Sequence, residues 1–112
     1  MSNLFSTDDF TQPFQIAPGV ISRVIVRGSL MFSLVDLAEG ASTPLHSHDE
    51  EQMGFIIVGA FRRTQDGVVE VLRAGGGFYV PPGVQHGGTA IEGSCRILDV
   101  FTPPRSAYRD RV

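Results

Sequence analysis

The sequence predicts an all-β fold, and three observations support this prediction. Apolar and β-branched residues occur in about ten short runs at regular spacing, as in antiparallel sheet proteins. The chain contains 13 Gly and 7 Pro, which provide the turns between such runs. No segment shows the apolar period of an amphipathic helix. Together these features favour a closed barrel or a two-sheet sandwich.

Size and composition predict one globular domain across residues 1–112. The chain has 112 residues, of which 42% are hydrophobic and 19% charged, enough to bury a core of its own. We expect an irregular lead-in over residues 1–19, with a short strand near 14–16 that can pair with a neighbouring subunit. Residues 20–101 should form the barrel and residues 102–112 a C-terminal tail.

Charge and cysteine content exclude several function classes. The net charge is -3 and all nine positive residues are scattered Arg, so nucleic acid is not an expected partner. The absence of Lys excludes a Schiff-base mechanism. The single cysteine, Cys95, should be a small buried hydrophobic residue. The first residues lack a signal-peptide pattern and no apolar run could span a membrane, which predicts a cytoplasmic protein with no membrane partner.

The first half of the chain predicts a hairpin followed by a histidine-bearing strand. Residues 20–27 and 30–37 are two apolar runs separated by Gly28 and Ser29. Both faces of the second run carry apolar side chains, as expected inside a barrel or sandwich. After a turn over residues 38–43, Pro44 should begin a strand that continues through His48.

The second half predicts shorter strands separated by glycine and proline. Residues 52–58 should end at a bend at Gly59, and residues 61–64 and 68–72 should form a hairpin around Asp66 and Gly67. A short strand at 78–80 precedes two prolines, and the last strand covers 94–101. Four phenylalanines are expected in the core or a subunit interface: Phe32, Phe55, Phe61 and Phe78.

All three histidines lie in two segments rich in Gly and Pro. His46 and His48 would share one face of a strand, because alternate residues of a strand point the same way. His86 lies in the second segment, residues 75–90. Three neutral imidazoles meeting at one point would suit a divalent metal, and Mn, Fe, Co, Ni, Cu and Zn are not distinguished by such ligands.

These two segments resemble the two sequence motifs of the cupin family. The first has the spacing of Gly40, His46, His48, Gln52 and Gly59, and the second that of Gly75, Pro81, Gly83, His86 and Ala90. Fifteen residues separate them, as in small bacterial cupins. Gln52 stands where cupins usually have Glu, and Ala90 where they usually have Asn. The resemblance implies a double-stranded β-helix, also called a jelly-roll barrel.

The resemblance also implies a metal site and an oligomeric state. One divalent transition metal would bind His46, His48, Gln52 and His86. Glu50 or Glu51 could replace Gln52 if the turn is one residue tighter. Four neutral ligands leave the ion its full charge, which favours a small anionic substrate. Cupins of this kind commonly pair through their outer strands, so a homodimer is expected.

The C-terminal sequence DVFTPPR, residues 99–105, resembles the end of cupins that linearise unsaturated uronates in pectin and alginate breakdown. This resemblance implies that Asp99, Phe101 and Arg105 line the active site. Arg105 would bind the substrate carboxylate, Asp99 would transfer a proton, and Phe101 would form a wall of the pocket. The structural alternative is an ion pair between Asp99 and Arg105 near the barrel rim.

The predicted function is conversion of a 4,5-unsaturated monouronate to its linear 5-keto-4-deoxy form, a metal-dependent isomerisation. One alternative is a metal-dependent dioxygenase acting on a small organic substrate, because three histidines can also hold Fe(II). A second alternative is a non-catalytic barrel that binds or senses a small molecule.

Overall fold

The computed structural model describes residues 3–112, so the first two residues of the expected lead-in lie outside the described range. Eight strands are present in that range: β1 (Phe14–Ala17), β2 (Val20–Arg27), β3 (Leu30–Leu37), β4 (Ser42–His46), β5 (Glu51–Gln65), β6 (Val68–Arg73), β7 (Gly77–Val80) and β8 (His86–Thr102). Two 3₁₀ segments, Thr7–Asp9 and Ser106–Arg111, precede and follow the strands. The all-β prediction is confirmed. Within residues 3–112, the structure has no helix with the length and apolar character needed to cross a membrane.

The strands form an antiparallel sheet that rolls into a jelly-roll barrel. Its order is β1-β2-β3-β8-β5-β6, with β4 paired to β8 and β7 paired to β5. β5 and β8 have 15 and 17 residues, and they pair with each other along most of their length. Because β4, β7, β3 and β6 are attached to these two long strands, both histidine segments are brought to the same interior.

The prediction of about ten short strands is wrong where β5 and β8 are continuous. β5 runs through Gly59, and its register with β8 shifts on both sides of Val58. Gly59 has φ 86°, and a Cβ there would lie 2.2 Å from the backbone oxygen of Ser94. The predicted bend is therefore a bulge inside one strand. β8 likewise begins at His86 rather than at Ser94.

The prediction that one strand carries both His46 and His48 is also wrong. β4 ends at His46, so strand alternation does not set the direction of the His48 side chain. His48 lies in the loop between β4 and β5. Its ring is oriented there by a contact to the backbone of Glu50.

The hairpin predicted around Asp66 and Gly67 is confirmed. β5 ends at Gln65 and β6 begins at Val68, which leaves a two-residue turn. Asp66 has φ 49° and Gly67 has φ 81°. Positive φ at both central residues is the geometry of a type I′ turn, whose twist matches that of the paired strands.

Two apolar clusters fill the barrel. The larger contains Val20, Val35, Leu37, Ile56, Phe61, Ala90, Cys95 and Ile97. The smaller contains Phe14, Val24, Met31, Phe101 and Tyr108, and it brings the C-terminal 3₁₀ segment against β8. Cys95 is buried, as predicted. Phe55, in contrast, lies on the outer face of β5 with half of its surface exposed.

Candidate metal centre

Three structural elements bring the three histidines together. His46 is the last residue of β4 and pairs with His86, the first residue of β8, while His48 lies in the loop that follows β4. The ring centroids are 4.3 Å apart for His46 and His86, 5.0 Å for His48 and His86, and 5.6 Å for His46 and His48. One ligand nitrogen from each ring lies within 4.8 Å of the others.

Backbone carbonyl groups fix the orientation of all three rings. The Nδ1 atoms of His46, His48 and His86 lie 2.7, 3.0 and 2.9 Å from the backbone oxygens of Pro44, Glu50 and Val84, respectively. A carbonyl oxygen only accepts, so each Nδ1 donates and the Nε2 of a neutral ring keeps its lone pair. The buried Nε2 of His86 has no hydrogen-bond partner. This is the arrangement that metal-binding histidines require.

Burial keeps two of the rings neutral. It is the main cause that lowers the pKa of His86 to about 4, and the neighbouring histidines and Arg63 lower it further. Burial also lowers the pKa of His46, with smaller effects in the same direction from Arg105 and His48. A neutral imidazole is the form that binds metal, so these rings are ready to act as ligands at neutral pH.

Gln52 lies beside the histidines near the start of β5. Its Oε1 is 3.0 Å from the Nε2 of His48, and its side chain also hydrogen bonds to the carboxyl group of Asp99. If the Gln52 amide donates to Asp99, its oxygen and the Nε2 of His48 both present lone pairs to the same space. A cation would satisfy both. The three imidazoles and the amide oxygen therefore fit a divalent transition metal.

The two glutamates considered as alternatives to Gln52 point elsewhere. Glu50 lies on the Nδ1 side of His48, 3.6 Å from that atom, and its Oε2 accepts from the backbone N–H of Ser106 at 2.9 Å. Glu51 is exposed and accepts a hydrogen bond from the hydroxyl of Tyr79. Neither carboxylate faces the Nε2 atoms that converge.

A cavity of about 240 Å³ extends from the histidines into the barrel. Its polar lining includes Gln52, Asp99 and Arg105 in addition to His46 and His86, and Phe101 forms part of the apolar wall. The predicted site residues other than His48 thus border one space, and His48 adjoins it through the histidine cluster. The ring of Phe101 packs edge-on against His48, with 5.5 Å between the centroids.

Asp99 is a carboxyl group with an unusual environment. Part of the residue borders the cavity, but its Oδ1 is shielded from solvent and has no hydrogen-bond partner. Burial raises the pKa of Asp99 to about 7, although the Gln52 hydrogen bond and the charges of Arg105 and Arg63 oppose this rise. A carboxyl group with such a pKa can both accept and release a proton near neutral pH.

Glycine 54 makes room for this carboxyl group. Gly54 pairs with Asp99 across β5 and β8. A Cβ at Gly54 would lie 2.8 Å from the Asp99 Oδ1 and 2.1 Å from the ring of Phe78. Only glycine fits between these two side chains.

Arg105 follows β8 and is held by aromatic residues. Its Nη1 donates to the hydroxyl of Tyr108 at 2.6 Å, and its guanidinium carbon lies 4.6 Å from the Tyr108 ring centroid. The buried Nε of Arg105 has no hydrogen-bond partner. Asp99 and Arg105 do not form a direct ion pair. The arginine therefore retains donor capacity for a ligand.

The sequence did not predict that Arg63 and Tyr108 line the cavity. Tyr108 comes from the tail, where no strand pattern gives a direction. Arg63 had a usable signal, because it lies two residues after the core residue Phe61 on the same strand and must share its inward face. The adjacent Arg62 points outward and is exposed.

Comparison with known proteins agrees with this architecture. A family model described as "Cupin domain" matches residues 33–101. The chain belongs to the cupin family. This cupin is 30% identical to an RmlC-like cupin from Shewanella frigidimarina NCIMB 400, with a TM-score of 0.84 and coverage of 96% of both chains. It is 26% identical to KdgF from Halomonas sp., with a TM-score of 0.85, covering 96% of this chain and 98% of that one.

A curated relative shares less of its length with this cupin. The chain is 27% identical over 105 residues to an H2HPP isomerase of Bacillus subtilis, which is 92% of this chain and 42% of the relative. This cupin therefore spans less than half of that protein. Cupin enzymes among the structural neighbours indicate a small-molecule ligand, and the histidine cluster indicates a metal-binding site.

Proposed function

We propose that this cupin binds one divalent transition metal through His46, His48, His86 and Gln52. The observation that carries the proposal is the convergence of three imidazole Nε2 atoms whose rings are held through Nδ1. A bound ion supplies Lewis acidity to a substrate oxygen, and four neutral ligands leave that ion its full charge. Mn, Fe, Co, Ni, Cu and Zn all accept such ligands.

We further propose that the cavity catalyses isomerisation of a small acid, with a 4,5-unsaturated monouronate as the substrate. The resemblance of the tail around Asp99, Phe101 and Arg105 to uronate-linearising cupins supports this choice. Similarity to a protein named as an isomerase supports the reaction class. Arg105 lines the cavity and is supported by the ring of Tyr108, so its guanidinium group can bind the substrate carboxylate.

Asp99 would transfer the proton in this reaction. The O1 hydroxyl of the substrate loses a proton, the bond between C1 and the ring oxygen breaks, and C1 becomes an aldehyde. The ring oxygen remains on C5 and becomes the keto oxygen as a proton is added to C4. No atom or electron is gained overall. A carboxyl group with a pKa of about 7 suits both transfers.

Phe101 would keep water from the reacting atoms. Its side chain is 1% exposed and packs on both His48 and Tyr108. An apolar ring that excludes water near the Asp99 carboxyl group strengthens the interaction of that group with the substrate and helps to keep its pKa raised.

The decisive experiment incubates metal-loaded protein with unsaturated galacturonate and follows the loss of absorbance from the ring double bond. We expect the loss to be faster than the spontaneous reaction and slower again after the metal is chelated. Asp99→Asn should lower kcat by about 10²- to 10⁴-fold while metal content is unchanged. Asp110→Asn, which alters an exposed carboxyl group, is the matched control.

Three outcomes would redirect the assignment. No acceleration over the spontaneous rate would remove the uronate reaction. Full activity in the Asp99→Asn variant would remove the proton-transfer role. Oxygen consumption by the iron-loaded protein would favour a dioxygenase, because the sugar isomerisation consumes no O₂.

We also propose that the chain forms a homodimer through the outer face of β5. Met53, Phe55 and Ile57 alternate along this strand and are 61%, 50% and 42% exposed. Met53 and Phe55 pair with Val100 and Leu98 of β8, which extend the apolar surface. A contiguous apolar sheet face of this kind is typical of a protein interface.

A further inference from the structure

The cavity contains a second arginine that the proposed reaction does not use. Arg63 lies on β5, is 5% exposed, and lines the same cavity as His46 and His86. Its guanidinium carbon lies 4.1 Å from the ring centroid of Phe78, and its Nη2 donates to the Oε1 of Gln65 at 2.5 Å. The aromatic ring and the amide therefore hold the guanidinium group in place.

This buried arginine has no counter-ion in the part of the chain that the structure describes. The ion pairs found among residues 3–112 do not include Arg63. Asp99 and Glu70 act on Arg63 only through their more distant charges, and burial lowers the pKa of its guanidinium group. A buried charge without a partner is costly, and a bound anion would remove that cost.

The two arginines line one cavity from different elements, Arg63 from β5 and Arg105 from the segment after β8. The guanidinium charges of Arg105 and Arg63 both act on the carboxyl group of Asp99. The candidate proton-transfer group therefore lies within the influence of two guanidinium groups.

We propose that Arg63 is a second anion-binding residue, and that the cavity takes small diacids in preference to monoacids of the same length. One acidic group would bind Arg105 and the other Arg63. This inference rests on the assignment of Arg105 to a substrate carboxylate. A monouronate has one carboxylate, so it pairs with only one guanidinium group and offers hydroxyl oxygens to the other. The inference therefore extends the substrate class from monouronates to small diacids.

A second pocket is an alternative place where an anion could bind Arg63. This pocket, of about 330 Å³, is also bordered by Arg63, together with Gln65 and Glu70. Arg105 does not line it. A ligand that depends on both arginines must therefore occupy the cavity with the histidines.

Succinate and butyrate are suitable probes, because both have four carbons and differ by one carboxylate group. We expect metal-loaded full-length protein to bind succinate about tenfold more tightly than butyrate in calorimetric titrations at fixed ionic strength. Arg63→Met should abolish this preference and leave butyrate binding unchanged. Arg62→Met, which changes the exposed neighbour on the same strand, should retain it. Arg105→Met should weaken the binding of both acids.

The variants also separate the possible failures. If Arg63→Met does not fold, as judged by circular dichroism and metal content, Arg63→Lys should keep the charge and most of the preference. Equal affinities of the unaltered protein for the two acids, or a preference that survives Arg63→Met, would overturn the inference. Loss of succinate binding in Arg63→Met but not in Arg105→Met would place the anion in the second pocket and overturn it as well. Inactivity toward the uronate with the preference intact would reject only the proposed reaction.

Discussion

The raised pKa of Asp99 should make the protein less stable as pH rises, and Asp99→Asn should remove this effect. In the folded protein burial raises the pKa of Asp99 from 3.8 to about 7. Between these two values the unfolded chain has lost the Asp99 proton and the folded chain has kept it, so increasing pH favours unfolding. A rise of this size corresponds to a loss of about 4 kcal/mol between pH 4 and pH 8.

Urea unfolding of chelator-treated protein at several pH values measures this effect. The unaltered protein should lose about 4 kcal/mol of unfolding free energy relative to the Asp99→Asn variant over the interval from pH 4 to pH 8. Histidine titration occurs in both proteins and largely cancels in the difference. A difference that stays constant within about 0.5 kcal/mol would refute the reasoning about Asp99. A bound cation should shrink the difference, because a nearby positive charge lowers the pKa of the carboxyl group.

Three further substitutions test the packing of the barrel. Gly54→Ala should destabilise the fold by about 1–3 kcal/mol, because its Cβ would overlap the ring of Phe78, and thermal unfolding will measure the loss. Ser22→Ala should lower the free energy of unfolding by about 1–3 kcal/mol, because it removes the partner that lies 2.6 Å from the buried Ser33 hydroxyl. In denaturant titrations, the variant with alanine at both positions should lose less stability. Phe55→Glu should convert the proposed dimer to a monomer in sedimentation velocity runs, and an unchanged mass would reject this interface.

The sequence predicts the strands where alternation and turn chemistry agree. The β5–β6 hairpin follows from Asp66 and Gly67, which adopt the positive φ angles of a tight turn. The continuity of β5 does not follow from local sequence. A glycine such as Gly59 suits both a chain reversal and a bulge, and only the neighbouring strand β8 decides between them.

The site is predicted in part from residue type and in part by resemblance. The gathering of His46 and His86 depends on a cross-strand pair between β4 and β8, which residue spacing alone does not reveal. His48 joins the other two histidines from the loop between β4 and β5, and strand alternation does not predict that position. The buried position of Arg63 does not follow from its residue type, because arginine is seldom buried without a partner.

Glu50 connects the candidate metal centre to the C-terminal tail. This carboxylate is buried, lies 3.6 Å from the Nδ1 of His48, and accepts from the backbone N–H of Ser106. Burial opposes its ionisation, but hydrogen bonds, chiefly from Ser106, lower its pKa overall. Ser106 directly follows Arg105 in the chain. Glu50 therefore links the His48 imidazole to the residue that follows the proposed substrate-binding arginine.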